Sequence, residues 1–218
     1  MKALPEKFFQ NIVWKSVLLI TLFLFPAASG NCSDEIVLFD GQSMDGWAHT
    51  GPGYFGLDER EHCLISRNGM GMLFYYDQKF DDFDLTLEWS VNREKANSGV
   101  FVRFPNLPKK KRPADAQGRN LSGPWGAVNE GYEIQIMWED TGSLYSFSAA
   151  KPPRLKEVGA WNKMRIRAVG QHYEVWINGD KVGDYQGKRA LSGYVGIQNH
   201  DKTSIVRFRN IRITPLEK

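Results

Sequence analysis

Cysteine is scarce in this sequence, with only Cys32 and Cys63 among 218 residues. Two isolated cysteines cannot make a structural zinc site on their own. In an oxidising compartment they could close one loop as a disulfide. The alternative is that Cys63 is a small buried apolar side chain and Cys32 lies in a frayed chain end. The sequence leaves both interpretations open.

The sequence also lacks the short motifs of several common enzyme classes. It has no zinc-protease motif, no nucleophile elbow, no Walker loop and no dinucleotide-binding fingerprint. Its four histidines are too few to argue for a metal ion. We therefore predict no cofactor, and we leave open a divalent cation as an electrophile.

Neither sign of charge dominates. Lysine and arginine number 28 against 25 acidic residues, a formal net charge of +3, which argues against nucleic acid or an anionic membrane surface as a partner. Four consecutive basic residues, 109–112, stand in a stretch at 105–128 that is rich in proline and glycine and predicts a long loop. We expect the basic run to face solvent, since no aromatic platform accompanies it. Because long loops in compact domains are often functional, Trp125 is a candidate wall for a pocket.

No apolar run is long enough to span a bilayer. The longest, at 17–25, has about ten residues, roughly half of what a membrane-spanning helix requires. Lysines precede it, and small residues follow at 26–30, which is the pattern of a signal peptide. We therefore predict a signal peptide at residues 1–30 and a single domain at residues 31–218, with no transmembrane span in the mature chain.

The leader predicts export to the periplasm or the exterior, with cleavage near Ser29 or Gly30. Cys32 lies close to this point and raises the alternative of a lipoprotein. We favour simple release, because Asn31 stands where a lipid-modified leader has a small residue.

What the sequence does contain after the leader is a series of short alternating segments. At 82–89 the odd-numbered residues are apolar and the even-numbered ones polar, which predicts a half-buried antiparallel strand. At 98–104 the same rule places Val100, Val102 and Phe104 opposite Phe101 and Arg103.

Two further features concern turns and irregularities. Asn178-Gly179 between two alternating runs predicts a tight hairpin, because both residues tolerate positive φ. A phase shift in the last apolar run predicts a β-bulge near Asn210. No stretch after the leader has a sustained helical period, so the pattern predicts an all-β sandwich of two antiparallel sheets.

Several polar residues fall inside these predicted strands and form the candidate site. They are Glu88, Asn97, Arg103, Glu133, Gln135, Gln198 and His200. Glu133 and Gln135 share a strand face, as do Gln198 and His200, and a mixture of carboxylate, amide, guanidinium and imidazole groups suits a sugar, whose hydroxyls both donate and accept hydrogen bonds. The alternative is that each residue faces water or makes an ordinary cross-strand pair, which we favour for Glu88.

The order of short motifs along the chain resembles the 3-keto-disaccharide hydrolase family, a branch of the concanavalin-like lectin/glucanase superfamily. The matching segments are Leu-Phe-Asp-Gly at 38–41, Asp-Gly-Trp at 45–47, the strand at 82–88, Ala-Asn-Ser-Gly-Val-Phe-Val-Arg at 96–103, Gly-Tyr-Glu-Ile-Gln-Ile at 131–136, Thr-Gly at 141–142 with Tyr145, Trp-Asn at 161–162, Trp-Ile-Asn-Gly at 176–179, Gly-Ile-Gln at 196–198 with His200, and Phe-Arg-Asn-Ile at 208–211. Each motif is weak alone, and their shared order makes the resemblance specific. One departure is Trp138, which stands where the family usually has an acidic residue.

The resemblance implies a jelly-roll of two curved antiparallel sheets and the cleavage of glycosides whose sugar carries a ketone at carbon 3. It implies a small carbohydrate as the partner and says nothing of oligomeric state. Such a ketone acidifies the proton on carbon 2, so a base can form an enolate that expels the glycosidic oxygen. We predict Glu133 or His200 as the catalytic base, with Arg103, Gln135, Asn97 and Gln198 binding substrate.

Two other functions remain open at this point. One is a non-catalytic, lectin-like sugar-binding module on the same fold, since fold and function separate readily. The other is an ordinary glycosidase that uses two carboxylates, Glu133 with Glu88 or Glu139.

Overall fold

The structure is a computed structural model and describes residues 34–105 and 123–217. The predicted leader, Cys32 and the basic run at 109–112 lie outside these residues. The described elements are β1 Ile36–Phe39, β2 Trp47–Thr50, β3 Tyr54–Asp58, β4 Cys63–Arg67, β5 Gly71–Phe80, β6 Phe83–Val91, β7 Ser98–Phe104, α1 Pro124–Glu130, β8 Tyr132–Ile136, a 3-10 turn Trp138–Asp140, β9 Asn162–Val169, β10 His172–Ile177, β11 Asp180–Gln186, β12 Gly193–Asn199 and β13 Val206–Pro215. No described helix is long and apolar enough to cross a membrane.

The strands form two antiparallel sheets. The larger has eight strands in the order β11-β10-β9-β6-β13-β4-β3, with β1 added alongside β13. The smaller has five strands in the order β2-β5-β12-β7-β8. The predicted all-β sandwich of jelly-roll type is therefore confirmed.

The hydrophobic core lies between the sheets. The alternation along β6 leaves four residues at most 1% exposed, as predicted: Phe83, Leu85, Leu87 and Trp89. The smaller sheet contributes its inward residues to the same cluster, among them Leu73, Val100, Val102, Tyr132, Ile134, Ile136, Val195 and Ile197. The residues that alternate with these on β8 and β12 therefore face outward from the smaller sheet.

Both irregularities predicted in the second half of the chain are present. Asn178 and Gly179 have φ of 52° and 93° and join β10 to β11 in a two-residue hairpin. Asn210 has φ of 52°, and the register of β13 with β6 shifts beside it, which is the expected bulge.

The prediction of a long loop at 105–128 is wrong for its last part. Residues Pro124–Glu130 form the helix α1, which begins with proline at a first-turn position where the missing N–H is harmless. Seven residues are too few to produce a clear 3.6-residue period. The helix is held by packing, because Ala127 and Val128 bury against Met72, Phe101 and Phe104.

A second correction concerns the end of β7. Arg103 has φ of 52°, and the register with β12 shifts there, so Arg103 is the extra residue of a bulge. The bulge inverts the alternation. Phe104 packs with Phe101 on the outer face, and Arg103 turns inward toward the larger sheet.

Candidate active site

A pocket lies on the outer face of the smaller sheet. It encloses about 400 Å³ of empty space, part of it open to solvent. The described residues that line it are Met70, Asn97, Pro124, Trp125, Val128, Glu133, Gln135, Tyr145, Gln198 and His200.

The polar floor of the pocket follows from strand alternation. Glu133 and Gln135 lie two residues apart on β8, and Gln198 lies on the neighbouring part of the sheet in β12. All three are at least 94% buried. Asn97 precedes β7, and His200 follows β12, so both stand at strand ends beside this floor. The structure thus brings together five of the six residues predicted from the sequence to act or bind.

The walls are apolar. Trp125 and Val128 come from α1, and Tyr145 comes from the segment after the 3-10 turn. Part of this wall is the second hydrophobic cluster, in which Phe101 and Phe104 of β7 support the helix. Trp125 therefore does wall a pocket, as the sequence suggested.

Glu133 is the buried carboxyl group of the pocket. Desolvation raises its pKa from 4.5 to about 8, against the opposing effect of a hydrogen bond with the side chain of Gln198. The carboxyl lies above Gly99, where an added Cβ would fall within 2.3 Å of Glu133 Oε1. A glycine in β7 thus provides the space that the carboxyl occupies.

Two amide oxygens in the pocket are buried without a hydrogen-bond donor among the described residues. They are Asn97 Oδ1 and Gln198 Oε1. The side chain of Gln135 is partly engaged, since its Oε1 accepts a hydrogen bond of 3.2 Å from the backbone N–H of Ile136. Unsatisfied buried acceptors are costly unless a ligand supplies donors. Both oxygens can therefore accept hydrogen bonds from hydroxyl or amine groups that enter the pocket.

His200 stands at the mouth of the pocket, with its side chain 38% exposed. Its Nδ1 lies 3.1 Å from Asp201 Oδ2. Burial alone would raise the pKa of Asp201, but hydrogen bonds from Ser204, Thr203 and His200 hold it below its usual value. An ionised Asp201 favours a proton on Nδ1 and leaves Nε2 as the acceptor.

Arg103 does not join the pocket, which corrects its predicted role in substrate binding. Its side chain is fully buried and bonds to groups of the larger sheet and of the turn before β6. These are the carbonyl oxygens of Asp81, Ala168 and Gly170, the hydroxyl of Tyr173 and the carboxylate of Asp82. The bulge in β7 is the physical reason, because it turns the side chain to the other face.

The two alternative carboxylates also lie elsewhere. Glu88 accepts a hydrogen bond of 2.7 Å from Arg209 across the larger sheet, the ordinary cross-strand pair that we favoured. Glu139 lines a different surface cavity together with Trp138. Trp138 packs against the main core and does not line the Glu133 pocket. The departure from the family pattern therefore leaves the floor of this pocket intact.

Sequence reasoning missed Asp201, Tyr145 and Gly99. A signal for Asp201 existed, because Asp followed by Thr203 and Ser204 is typical of a turn in which the carboxylate caps backbone N–H groups. The role of Gly99 depends on contact between two strands and has no local signal.

A cluster of possible metal ligands lies outside the pocket. His172, Glu174 and Asp184 bring their ligand atoms within 4.8 Å of one another. The amine of Lys181 already pairs with both carboxylates, so a cation would have to displace it. Cys63 is buried and forms no disulfide with another described residue. Because Cys32 is outside the described residues, the Cys32–Cys63 disulfide stays a prediction.

Comparison with known proteins agrees with this architecture. Residues 34–214 match the model of a family described as the 3-keto-alpha-glucoside-1,2-lyase-like domain. A curated relative, the 3-keto-disaccharide hydrolase of Bacteroides thetaiotaomicron, is 24% identical over 232 residues, covering 84% of this chain and 78% of the relative.

Solved structures share the fold. A candidate glycosyl hydrolase from Parabacteroides distasonis superposes with a TM-score of 0.65 at 18% identity, covering 84% of this chain and 94% of its own. The carbohydrate-binding module CBM66 of Bacillus subtilis superposes with a TM-score of 0.54 at 13% identity, covering 78% and 95%. At these identities the likeness establishes the fold alone.

Proposed function

Because this chain belongs to the 3-keto-alpha-glucoside-1,2-lyase-like family of carbohydrate-active proteins, we propose that it cleaves glycosides whose sugar carries a ketone at carbon 3. The C2–H bond breaks first, and the electron pair expels the glycosidic oxygen from carbon 1, which leaves a C1=C2 double bond. Water then adds across this bond, with hydroxyl to carbon 1 and hydrogen to carbon 2. The net reaction is a hydrolysis and needs no oxidant or reductant.

The observation that carries the proposal is the pairing of Glu133 with His200 in one pocket. With a pKa of about 8, the Glu133 carboxyl is protonated near neutral pH and can give a proton to the departing oxygen. His200, oriented by Asp201, offers a basic Nε2 for the proton on carbon 2. The different surroundings of the two side chains thus make Glu133 the acid and His200 the base.

The amides bind and polarise the substrate. Because the oxygen of Gln135 accepts from the Ile136 N–H, its NH₂ group is the end that can donate to the developing enolate oxygen. The unpartnered oxygens of Asn97 and Gln198 accept hydrogen bonds from sugar hydroxyls. A neutral polyhydroxylated ring meets all of these requirements.

The two rival functions receive less support. A two-carboxylate glycosidase needs a second acid beside the first, and Glu133 is the one carboxylate among the described residues that line the pocket. A lectin-like module has no need for a buried acid and an imidazole in the same pocket. We also propose that this activity takes place outside the cytoplasm, on the basis of the signal-peptide pattern at residues 1–30.

The test is to incubate the mature protein with 3-ketotrehalose and, separately, with unoxidised trehalose, and to quantify the free sugars. We expect turnover of the ketone alone, because the unactivated C2 proton is far too weakly acidic for a side-chain base. Glu133→Gln should lower this turnover, because it removes the proposed acid. Glu88→Gln is the matched control, since it removes a carboxylate outside the pocket. Equal turnover of both sugars would reject the elimination, and tight binding without any turnover would favour the lectin-like module.

A further inference from the structure

A surface groove adjoins the pocket of Glu133. It encloses about 670 Å³, much of it open to solvent, and Gln135 and Tyr145 line both cavities. The groove continues from these two residues along Met137 and the segment 143–149. The two cavities are therefore neighbouring parts of one surface depression.

The spacing along β8 relates the groove to the pocket. Glu133 lines the pocket, Gln135 lines both cavities, and Met137 lines the groove. Met137 continues the extended backbone beyond β8, with φ of −152° and ψ of 101°. Alternate residues of a strand are about 6.6 Å apart, a distance comparable to the length of one sugar ring. A ligand of two rings that places one ring over Glu133 and runs along β8 toward Met137 therefore has its other ring beside Gln135, where the pocket meets the groove.

An exposed aromatic side chain stands in this groove. Phe147 is 43% exposed. Its ring has the guanidinium of Arg189 4.5 Å from its centroid, and it contacts Tyr132 edge-on at 5.5 Å. The turn that presents it is fixed by hydrogen bonds from the N–H groups of Phe147 and Ser148 to the carbonyl of Leu144. The ring is thus held in place while part of it remains open to a ligand.

The polar groups around Phe147 suit a neutral, hydroxylated ligand. Ser146 and Ser148 are exposed, and Asp140 adds one exposed carboxylate. Hydroxyls and a carboxylate can bond to sugar hydroxyls, and an aromatic face attracts the slightly positive C–H groups on the face of a sugar ring. None of the described residues that line the groove is a cation. Arg189, which lies against the Phe147 ring, donates to the carbonyl oxygens of Val128 and Gly131.

We propose that this groove binds the leaving sugar of the disaccharide, a neutral pyranose ring, with Phe147 as its stacking surface. The inference rests on the proposed function, because it assigns the ketone-bearing ring to the Glu133 pocket. It makes Phe147 a specificity residue for the leaving group.

The experiment compares two substrates that share the ketone-bearing ring. One is 3-ketotrehalose, with a sugar as leaving group, and the other is methyl 3-keto-α-glucopyranoside, with methanol. Phe147→Ala should lower kcat/KM on 3-ketotrehalose about tenfold and leave the methyl glycoside unchanged. Ala149→Trp should do the same by filling the groove without removing an existing contact. Tyr54→Ala is the control, because Tyr54 is a similarly exposed aromatic, 46%, on the opposite sheet.

Equal losses on both substrates, or no loss on either, would overturn the proposal. If the wild-type protein cleaves neither substrate, the proposed function fails, and calorimetric dissociation constants of the same two ligands then test the groove directly. Tighter binding of 3-ketotrehalose that disappears in Phe147→Ala and Ala149→Trp would uphold the groove assignment. Equal binding of the two ligands by the wild-type protein would refute it.

Discussion

Glu133 shows how one residue's surroundings set the chemistry of a pocket. Its carboxyl is buried on the outer face of the smaller sheet, and desolvation raises its pKa to about 8 despite the hydrogen bond with Gln198. A carboxyl on the protein surface would be ionised at neutral pH and could not donate a proton. The proposed role of Glu133 as an acid therefore depends on its burial.

The pH dependence of the rate tests that role. If Glu133 must be protonated, kcat/KM falls as pH rises through about 8. Glu133→Gln should lower kcat at pH 7 by about a hundredfold or more and remove the decline near pH 8. A rate that instead rises through pH 8 in the wild-type protein would make Glu133 the base.

The same shift makes the free energy of unfolding depend on pH. Below pH 4.5 the carboxyl is protonated in both the folded and unfolded states. As pH rises toward 8, the unfolded chain loses this proton and the folded protein keeps it, so stability declines by about 1.4 kcal/mol per pH unit at most. Above about pH 8 the full cost of the buried charge is present.

Glu133→Gln should therefore match the wild-type protein in stability at pH 4 and exceed it by a few kcal/mol at pH 9. Urea unfolding at both pH values measures the difference. Glu88→Gln serves as the comparison, because that carboxylate is partly exposed and paired with Arg209. Parallel stability curves for Glu133→Gln and the wild-type protein would contradict the prediction.

At the scale of elements, β7 connects the pocket to the core. Its Gly99 leaves room for the Glu133 carboxyl on the outer face, and its bulge sends Arg103 to the inner side. The strand thus contributes to the site because Gly99, near its start, has no side chain. At the other end it ties the smaller sheet to the larger one.

Arg103 should matter for stability and leave substrate binding unaffected. Arg103→Met removes a fully buried guanidinium and leaves Asp82 without its cation, so we expect a loss of about 3 kcal/mol or more in unfolding free energy. KM of the folded protein should not change, because Arg103 is outside the pocket. Arg154→Met is the control, since the pair with Asp180 is exposed and worth about 1 kcal/mol or less. A raised KM with normal stability would restore Arg103 to the binding site.

At the scale of the whole molecule, the sandwich supports more than one function. A carbohydrate-binding module and a candidate glycosyl hydrolase share the fold, so the architecture does not determine whether the protein catalyses a reaction. The residues on the outer face of the smaller sheet make that distinction. Here they include a buried acid and an imidazole beside two unpartnered amide oxygens.

The predicted export concerns the whole chain and has its own test. We expect mass spectrometry of the protein recovered from the cell envelope or the medium to find a mature N-terminus near residue 30. If Cys32 remains after cleavage, thiol titration of the unfolded, non-reduced protein should find no free thiol. An intact Met1 on envelope protein would contradict export, and two thiols would exclude the disulfide.

The sequence by itself determined the all-β class, the antiparallel alternation, the Asn178-Gly179 hairpin and the bulge at Asn210, because each of these depends on residues close together in the chain. It also placed Glu133 with Gln135, and Gln198 with His200, on shared polar strand faces, since a period of two is a local property. Only the tertiary structure decided that Arg103 leaves the site, that a short helix walls it and that Gly99 makes room for Glu133. The bulge at Arg103 produces no phase shift in the sequence, because Val100, Val102 and Phe104 keep the apolar alternation unbroken. The other two outcomes depend on contacts between segments that are distant in the chain.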